Sequence, residues 1–375
     1  GTFTQAGQPY WQYGPADFGN ACCLLPTAFT APRRWKFDLN GAYQFLFSVA
    51  VSAALPAEHG VLRWPQYLQT GLLPAAGDTV LDLAGSVSSA YAFGFKGFVA
   101  RYSGDQWGMV PLPDGADRRI RRFHLAPPAC GTCATSGWGI TNTAYFYAFS
   151  SFDRERFIPT YVGSGGWNAV AGSAVNNFWA VGDSGRIMVN RGTSEWYRLA
   201  SPTGANMRAV WVNPTEVWMG GEGGLLYRFD GSTWYSFPVP AGTTVVDMWG
   251  VNESAVWAAA VRSGGSGPES FILFWNGSSW SQAAGPLATE LRAIQGRLAA
   301  LDDASNGTSP LRDVYAVGSD RLLHWNGLAW SEQHLDRRGQ SLFAVSGSSN
   351  ALWAVGGSNG AVWFGVRSDA SPSPL

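Results

Sequence analysis

The chain has 375 residues, of which 46% are hydrophobic and only 14% charged, with 47 glycines, 19 tryptophans and a formal net charge of −1. A charged share so far below the usual figure of about 25%, with that much glycine and tryptophan, excludes a disordered chain and describes turn-rich β structure. Near-zero net charge supplies no global field for nucleic acid or anionic membrane, and no apolar run reaches the roughly eighteen residues of a membrane helix.

Residues 1–32 carry Tyr10, Trp11, Tyr13, Phe18 and Phe29 among Gly and Pro, with almost no charge. Aromatic residues in that setting seek burial and are enriched in interface cores. Tyr10, Trp11, Tyr13 and Phe18 are therefore candidate partner-binding residues, whether the arm folds back on its own domain or docks on a neighbour. Cys22 and Cys23 in this arm, and Cys130 and Cys133 further on, are disulfide candidates whose three connectivities sequence cannot choose among. The start at Gly1, the cysteines and three Asn-x-Ser/Thr sequons (at Asn252, Asn276 and Asn306) lead us to expect an extracytoplasmic protein.

From about residue 78 a degenerate repeat sets in. Its clean copies are Asn177-Phe-Trp-Ala-Val-Gly182, Glu216-Val-Trp-Met-Gly-Gly221 and Ala351-Leu-Trp-Ala-Val-Gly356. The marker aromatics Trp179, Trp218, Trp257, Tyr315 and Trp353 are 39, 39, 58 and 38 residues apart, and Tyr91 precedes Trp179 by 88, two steps of 44. That double step predicts a further copy over 118–162, cut as strands at Ile120–Leu125, Gly137–Thr141, Ala144–Ser150 and Arg156–Val162. Within a copy, Met207–Trp211, Glu216–Gly220, Leu225–Phe229 and Trp234–Pro238 read as four strands. Asp230-Gly231, Asn276-Gly277 and Asn326-Gly327 read as two-residue turns, in which both positions take positive φ.

Four short strands at a period of about forty residues is the signature of a β-propeller blade. One blade cannot bury both its faces, so blades stack and close into a ring. Residues 41–72 read as one more copy, with Ser48–Ser52 innermost and Gly60–Trp64 third. The expected fold is therefore an all-β, closed propeller over 33–367 with eight blades, or seven if 41–72 is an appendage. Arg34–Asp38 would complete the last blade, which stops short before a polar tail at 368–375.

The pattern Val-Trp-Ala-Val-Gly … Gly-x-Ile/Leu-x-x-Trp-Asn/Asp-Gly-x-x-Trp resembles the tryptophan-rich propeller repeats of secreted bacterial proteins. That group is loosely similar to the Asp-box and photosystem-assembly-factor propellers. The resemblance spans about 78–366 and implies the fold; propellers serve too many functions for it to imply one.

No catalytic constellation emerges. Gly182-Asp-Ser-Gly185 and Gly356-Gly-Ser-Asn-Gly360 imitate hydrolase nucleophile motifs, but both fall on a strand-to-strand turn where a hydrolase elbow requires a helix. Cys22-Cys23 without a tryptophan docking motif does not make a quinoprotein. Asp302, Asn306 and Asp313 partly imitate a calcium loop, with Ala304 where a ligand belongs, so calcium is at most a weak candidate and no other cofactor is expected. Asp117-Arg-Arg-Ile-Arg-Arg122 is the single dense basic run, either a solvated edge or an anion contact. On strict alternation Arg119 and Arg121 would share one face and Arg122 the other. The expectation is a non-catalytic module that binds a protein partner or joins an assembly. A glycan-binding propeller whose tryptophans stack on sugars is the alternative, and a propeller enzyme comes third.

Overall fold

The computed structural model describes residues 3–5, 8–10, 62–63 and most of 79–367. Outside the description within that last stretch lie 87–88, 96, 104–105, 113–118, 127–134, 142, 151–155, 164, 265–266, 297–313, 326, 334, 336–338, 348–350 and 357–361. The chain divides into two units, Gly1–Ala57 and Glu58–Leu375. In the first, Phe3–Gln5 and Gln8–Tyr10 pair as an antiparallel hairpin.

The second unit is a ring of seven four-stranded antiparallel sheets. Six are built from four consecutive strands each. These begin at Val80, Ile120, Trp167, Met207, Thr244 and Leu291, and we number the blades 1 to 6 in that order. Blade 7 has three strands, Leu342–Gly347, Ala351–Gly356 and Val362–Arg367, and takes its outer strand from Leu62–Arg63 upstream. In the predicted copy over 118–162 the strands are Ile120–Ala126, Ser136–Thr141, Tyr145–Ser150 and Arg156–Tyr161.

Closure is a matter of packing. Seven buried apolar clusters occupy the seven gaps between neighbouring blades, including the gap between blades 7 and 1, where Val80 and Leu83 share a core with Ala344 and Val362. The inner strand of each blade also packs on that of the next all the way round. The expectation of eight blades is thereby overturned: a ring whose every gap is filled has no place for another blade. Of residues 41–72 only Leu62–Arg63 is described, and it serves blade 7 as its outer strand. The closing strand is thus not Arg34–Asp38, which lies outside the described residues.

The repeat aromatics fill these gaps. Trp179, Trp218 and Trp257 are essentially inaccessible, as are Tyr91 and Tyr315. Residue i−2 lies on the same face of a strand, and this explains the polar residue two before Trp179 and Trp218. Asn177 Oδ1 accepts the Trp179 indole N–H at 2.9 Å, and Glu216 Oε1 accepts that of Trp218 at 2.8 Å. The turns differ from expectation. Gly231 and Gly277 have φ of 99° and 95°, but among the described residues only Ser184 is a non-glycine at positive φ. Asp230 and Asn276 instead act through their side chains. Asp230 Oδ1 accepts from the N–H groups of Ser232 and Thr233, and Asn276 Oδ1 from those of Ser278 and Ser279.

A testable consequence concerns the ring's seam. A chain beginning at residue 58 is expected to be monomeric by light scattering. One beginning at residue 79 lacks Leu62–Arg63, bares the edge of Val362–Arg367 and is expected to form oligomers by edge pairing.

Candidate functional site

The inner strands surround a central channel of about 880 Å³. Each carries a register irregularity close to its start: between Ile120 and Arg122 in blade 2, between Met207 and Ala209 in blade 4, between Val245 and Asp247 in blade 5, and at the matching place in the other four. A bulge places one extra residue in a strand and re-aims its side chain. Seven bulges at one level therefore deliver seven side chains to one mouth of the channel. Blades 2, 4 and 6 supply Arg121, Arg208 and Arg292; blade 3 supplies Asn168; blades 1, 5 and 7 supply Leu81, Val246 and Phe343. All seven line a cavity of about 600 Å³.

The glycine that ends the repeat motif makes room for this device. In blades 3, 4 and 6 it faces the residue that opens the inner strand, Trp167↔Gly182, Met207↔Gly221 and Leu291↔Gly318. A Cβ on Gly182 would stand 2.4 Å from the Gly166 carbonyl oxygen, on Gly221 2.1 Å from that of Asn206, and on Gly318 2.8 Å from that of Glu290. Tryptophan and glycine in the repeat thus have separate roles: one fills the gap between blades, the other admits the bulge.

Charge at the mouth is one-sided. Arg119 and Arg122 join the three bulge arginines, against Glu290 as the single carboxylate in the lining. The guanidinium of Arg208 is held by Glu222 Oε1 at 2.8 Å, Asp183 Oδ1 at 3.4 Å and Asn168 Oδ1 at 2.9 Å. Arg292 pairs through Nη2 with Glu290 at 2.9 Å and lies over the Phe343 ring at 4.2 Å, while its Nη1 is buried with no hydrogen-bond partner among the described residues. Arg119 lies over Phe95 at 4.4 Å, and Arg121 is exposed.

One level deeper, two carboxylates tie blade to blade. Asp82 accepts from the N–H of Leu83 at 2.9 Å and from that of Phe123, in the next blade, at 2.7 Å. Asp247 does the same with Met248 at 2.9 Å and Ile294 at 2.8 Å. Each satisfies an N–H on the unpaired edge of the neighbouring inner strand. Burial pushes both carboxyls up to about 6, although the Arg122 charge and the N–H donors pull the other way. Further along the channel, His124 Nε2–H donates to the Gly172 carbonyl at 2.8 Å, and burial holds this imidazole below its usual value.

The residues singled out by sequence fall elsewhere. Tyr10 sits in the N-terminal hairpin opposite Phe3. Trp11, Tyr13 and Phe18, the cysteines Cys22, Cys23, Cys130 and Cys133, and Asp302, Asn306 and Asp313 lie outside the described residues. Among the described residues no group of three or more His, Cys, Asp or Glu is placed to hold a metal. The basic run is where sequence and site meet: Arg119, Arg121 and Arg122 all line the mouth. Strict alternation had put Arg122 on the opposite face, and the bulge between Ile120 and Arg122 removes that alternation. Arg208, Arg292 and Asn168 were missed, each being a lone polar residue second in an apolar strand. The signal that could have found them is their shared place two residues into every repeat. Gly182-Asp-Ser-Gly185 forms a tight turn in which Asp183 faces Asn168 and Arg208, and Ser184 takes φ 57°.

No family model and no curated sequence matches the chain. Solved structures do. A photosystem assembly factor, YCF48 bound to D1 peptide, superposes with a TM-score of 0.58 at 14% identity, covering 86% of this chain and all of that one. YCF48 from Cyanidioschyzon merolae gives 0.57 at 13%, over 81% and 98% of the two chains. Virginiamycin B lyase from Staphylococcus aureus, in a catalytically inactive form with quinupristin, gives 0.60 at 11%, over 82% and 99%. The similarity to photosystem-assembly-factor propellers seen in the repeats is thus matched in three dimensions, and at these identities the likeness is one of fold.

Proposed function

We propose that this propeller is a non-catalytic protein-interaction module, exported from the cytoplasm, which receives a segment of its partner at the mouth formed by the seven bulges. The observation that carries the reading is the convergence of all seven bulged residues on one cavity. One register irregularity recurs near the start of every inner strand, and the residues it re-aims differ from blade to blade in charge and polarity. A propeller of this fold, YCF48, holds a peptide. Burial of the marker aromatics between blades favours a protein over a glycan, because a lectin-like reading would have these rings open for stacking on sugars.

The test is site-specific photocrosslinking in the native host. A benzophenone side chain at Leu81 or Val246, two aliphatic members of the ring, is expected to give one discrete adduct. The same group at Tyr161, exposed on the outer strand of blade 2, is expected to give none. Adducts from Tyr161 with none from the mouth would place the partner elsewhere and end this reading.

A further inference from the structure

We infer that the segment received at the mouth carries carboxylates interleaved with apolar side chains; this rests on the mouth being the partner's seat. Five arginines line the cavity against one carboxylate, in a chain whose formal net charge is −1. The excess is local and therefore built. Internal partners account for part of it: Arg208 is engaged by Glu222 and Asp183, and one arm of Arg292 by Glu290. Two guanidiniums keep donors for a ligand. Arg121 is exposed at the rim, and Arg292 keeps Nη1 buried and unpartnered among the described residues. Leaving a buried charged donor unmade is costly, and a carboxylate is the acceptor that fits a guanidinium fork in two places.

Order round the ring narrows the ligand further. Arginines occupy blades 2, 4 and 6, Leu81, Val246 and Phe343 occupy blades 1, 5 and 7, and Asn168 of blade 3 is the one break between them. Phe343 and Phe95 hold Arg292 and Arg119 over their rings, so two of the cations are stiffened before any ligand arrives. An alternation of cations with apolar side chains suits a peptide that alternates acidic and apolar residues. A nucleic-acid backbone, uniformly charged and extended, suits it less, since the arginines close into a ring and form no continuous groove.

Fluorescence anisotropy on the full chain tests this with four labelled probes. They are a ten-residue Leu-Glu repeat with an amidated end, the matching Leu-Gln peptide amidated, the Leu-Gln peptide with a free terminal carboxylate, and a ten-residue oligothymidylate. The acidic peptide is expected to bind, and to weaken steeply between low and high salt. Arg121→Gln and Arg292→Gln are each expected to weaken it about tenfold, the scale of one charge-assisted hydrogen-bonded contact. Arg198→Gln, on the exposed outer strand of blade 3, should change nothing. If the terminal-carboxylate peptide binds as well, a chain end is the source of the same chemistry; if only the Leu-Glu peptide binds, side chains are. Equal binding of the neutral amidated peptide, tighter binding of the oligonucleotide, or indifference to both arginine substitutions would overturn the inference. A discrete adduct from Val246 alongside such a failure would leave the seat standing and remove only its acidic ligand; absence of the adduct would remove both.

Discussion

Gly221→Ala is expected to destabilise the ring by about 3 kcal/mol, at the upper end of the usual cost of overpacking, and to shift Arg208 at the mouth. Gly221 faces Met207 across the first two strands of blade 4. A methyl group there would meet the Asn206 carbonyl oxygen at 2.1 Å and the Met207 Cα at 2.7 Å. Both obstacles are backbone, so no rotamer change relieves them. The inner strand must retreat, and it carries the bulge with Arg208 one residue on. The φ of Gly221 is not in the left-handed region, so the requirement is for space alone. Gly204→Ala is the control, because a Cβ there meets nothing within 4 Å and φ is unexceptional. Urea titrations should show a lowered midpoint with unchanged slope for Gly221→Ala and little change for Gly204→Ala. Equal stabilities for the two variants would refute the assignment of the motif glycine to the bulge.

How much of this was legible in the sequence depends on which interaction wrote the signal. Packing between blades writes strongly, because an aromatic marker recurs in every copy and is buried at Tyr91, Trp179, Trp218, Trp257 and Tyr315. The double step between Tyr91 and Trp179 located the hidden copy over 118–162 to within a residue per strand end. Closure writes weakly. Leu62–Arg63 is two residues long, too short to carry a period of two, and its neighbourhood read instead as an eighth blade. The bulge writes in a misleading way, since it breaks the alternation by which strand faces are assigned. Arg121 and Arg122 consequently line one mouth, where alternation sets them on opposite faces. The turn residues were identified correctly as Asp-Gly and Asn-Gly, but for the wrong physical reason: the side-chain oxygen of Asp230 or Asn276 organises the loop, and only the glycine takes positive φ.

The stability of the ring is expected to fall as pH rises from about 4 to about 6.5. Asp82 and Asp247 have carboxyls raised to about 6 in the folded chain, chiefly by burial, against an unfolded value near 3.9. A raised folded value means that the folded ring holds the proton more tightly. The stability this confers is complete below pH 4 and is lost as pH climbs through 6. Two pH units correspond to roughly 3 kcal/mol per group at most. Arg122, Arg101 and His124 line the same channel. The Arg122 charge opposes the rise, while the Asp82 charge reinforces it at Asp247. Asp230 works in the opposite sense in a different window. Its carboxyl is held below the usual range by the Thr233 and Ser232 N–H groups, so its contribution disappears only as pH falls below 4. Asp247→Asn separates the two. It keeps an acceptor for the Ile294 N–H and cannot ionise, so it should remove about half of the slope between pH 4 and 6.5 and leave the acid limb unchanged. A wild-type midpoint that rises over that interval would mean that the N–H donors and Arg122 outweigh burial, and that both aspartates are charged throughout.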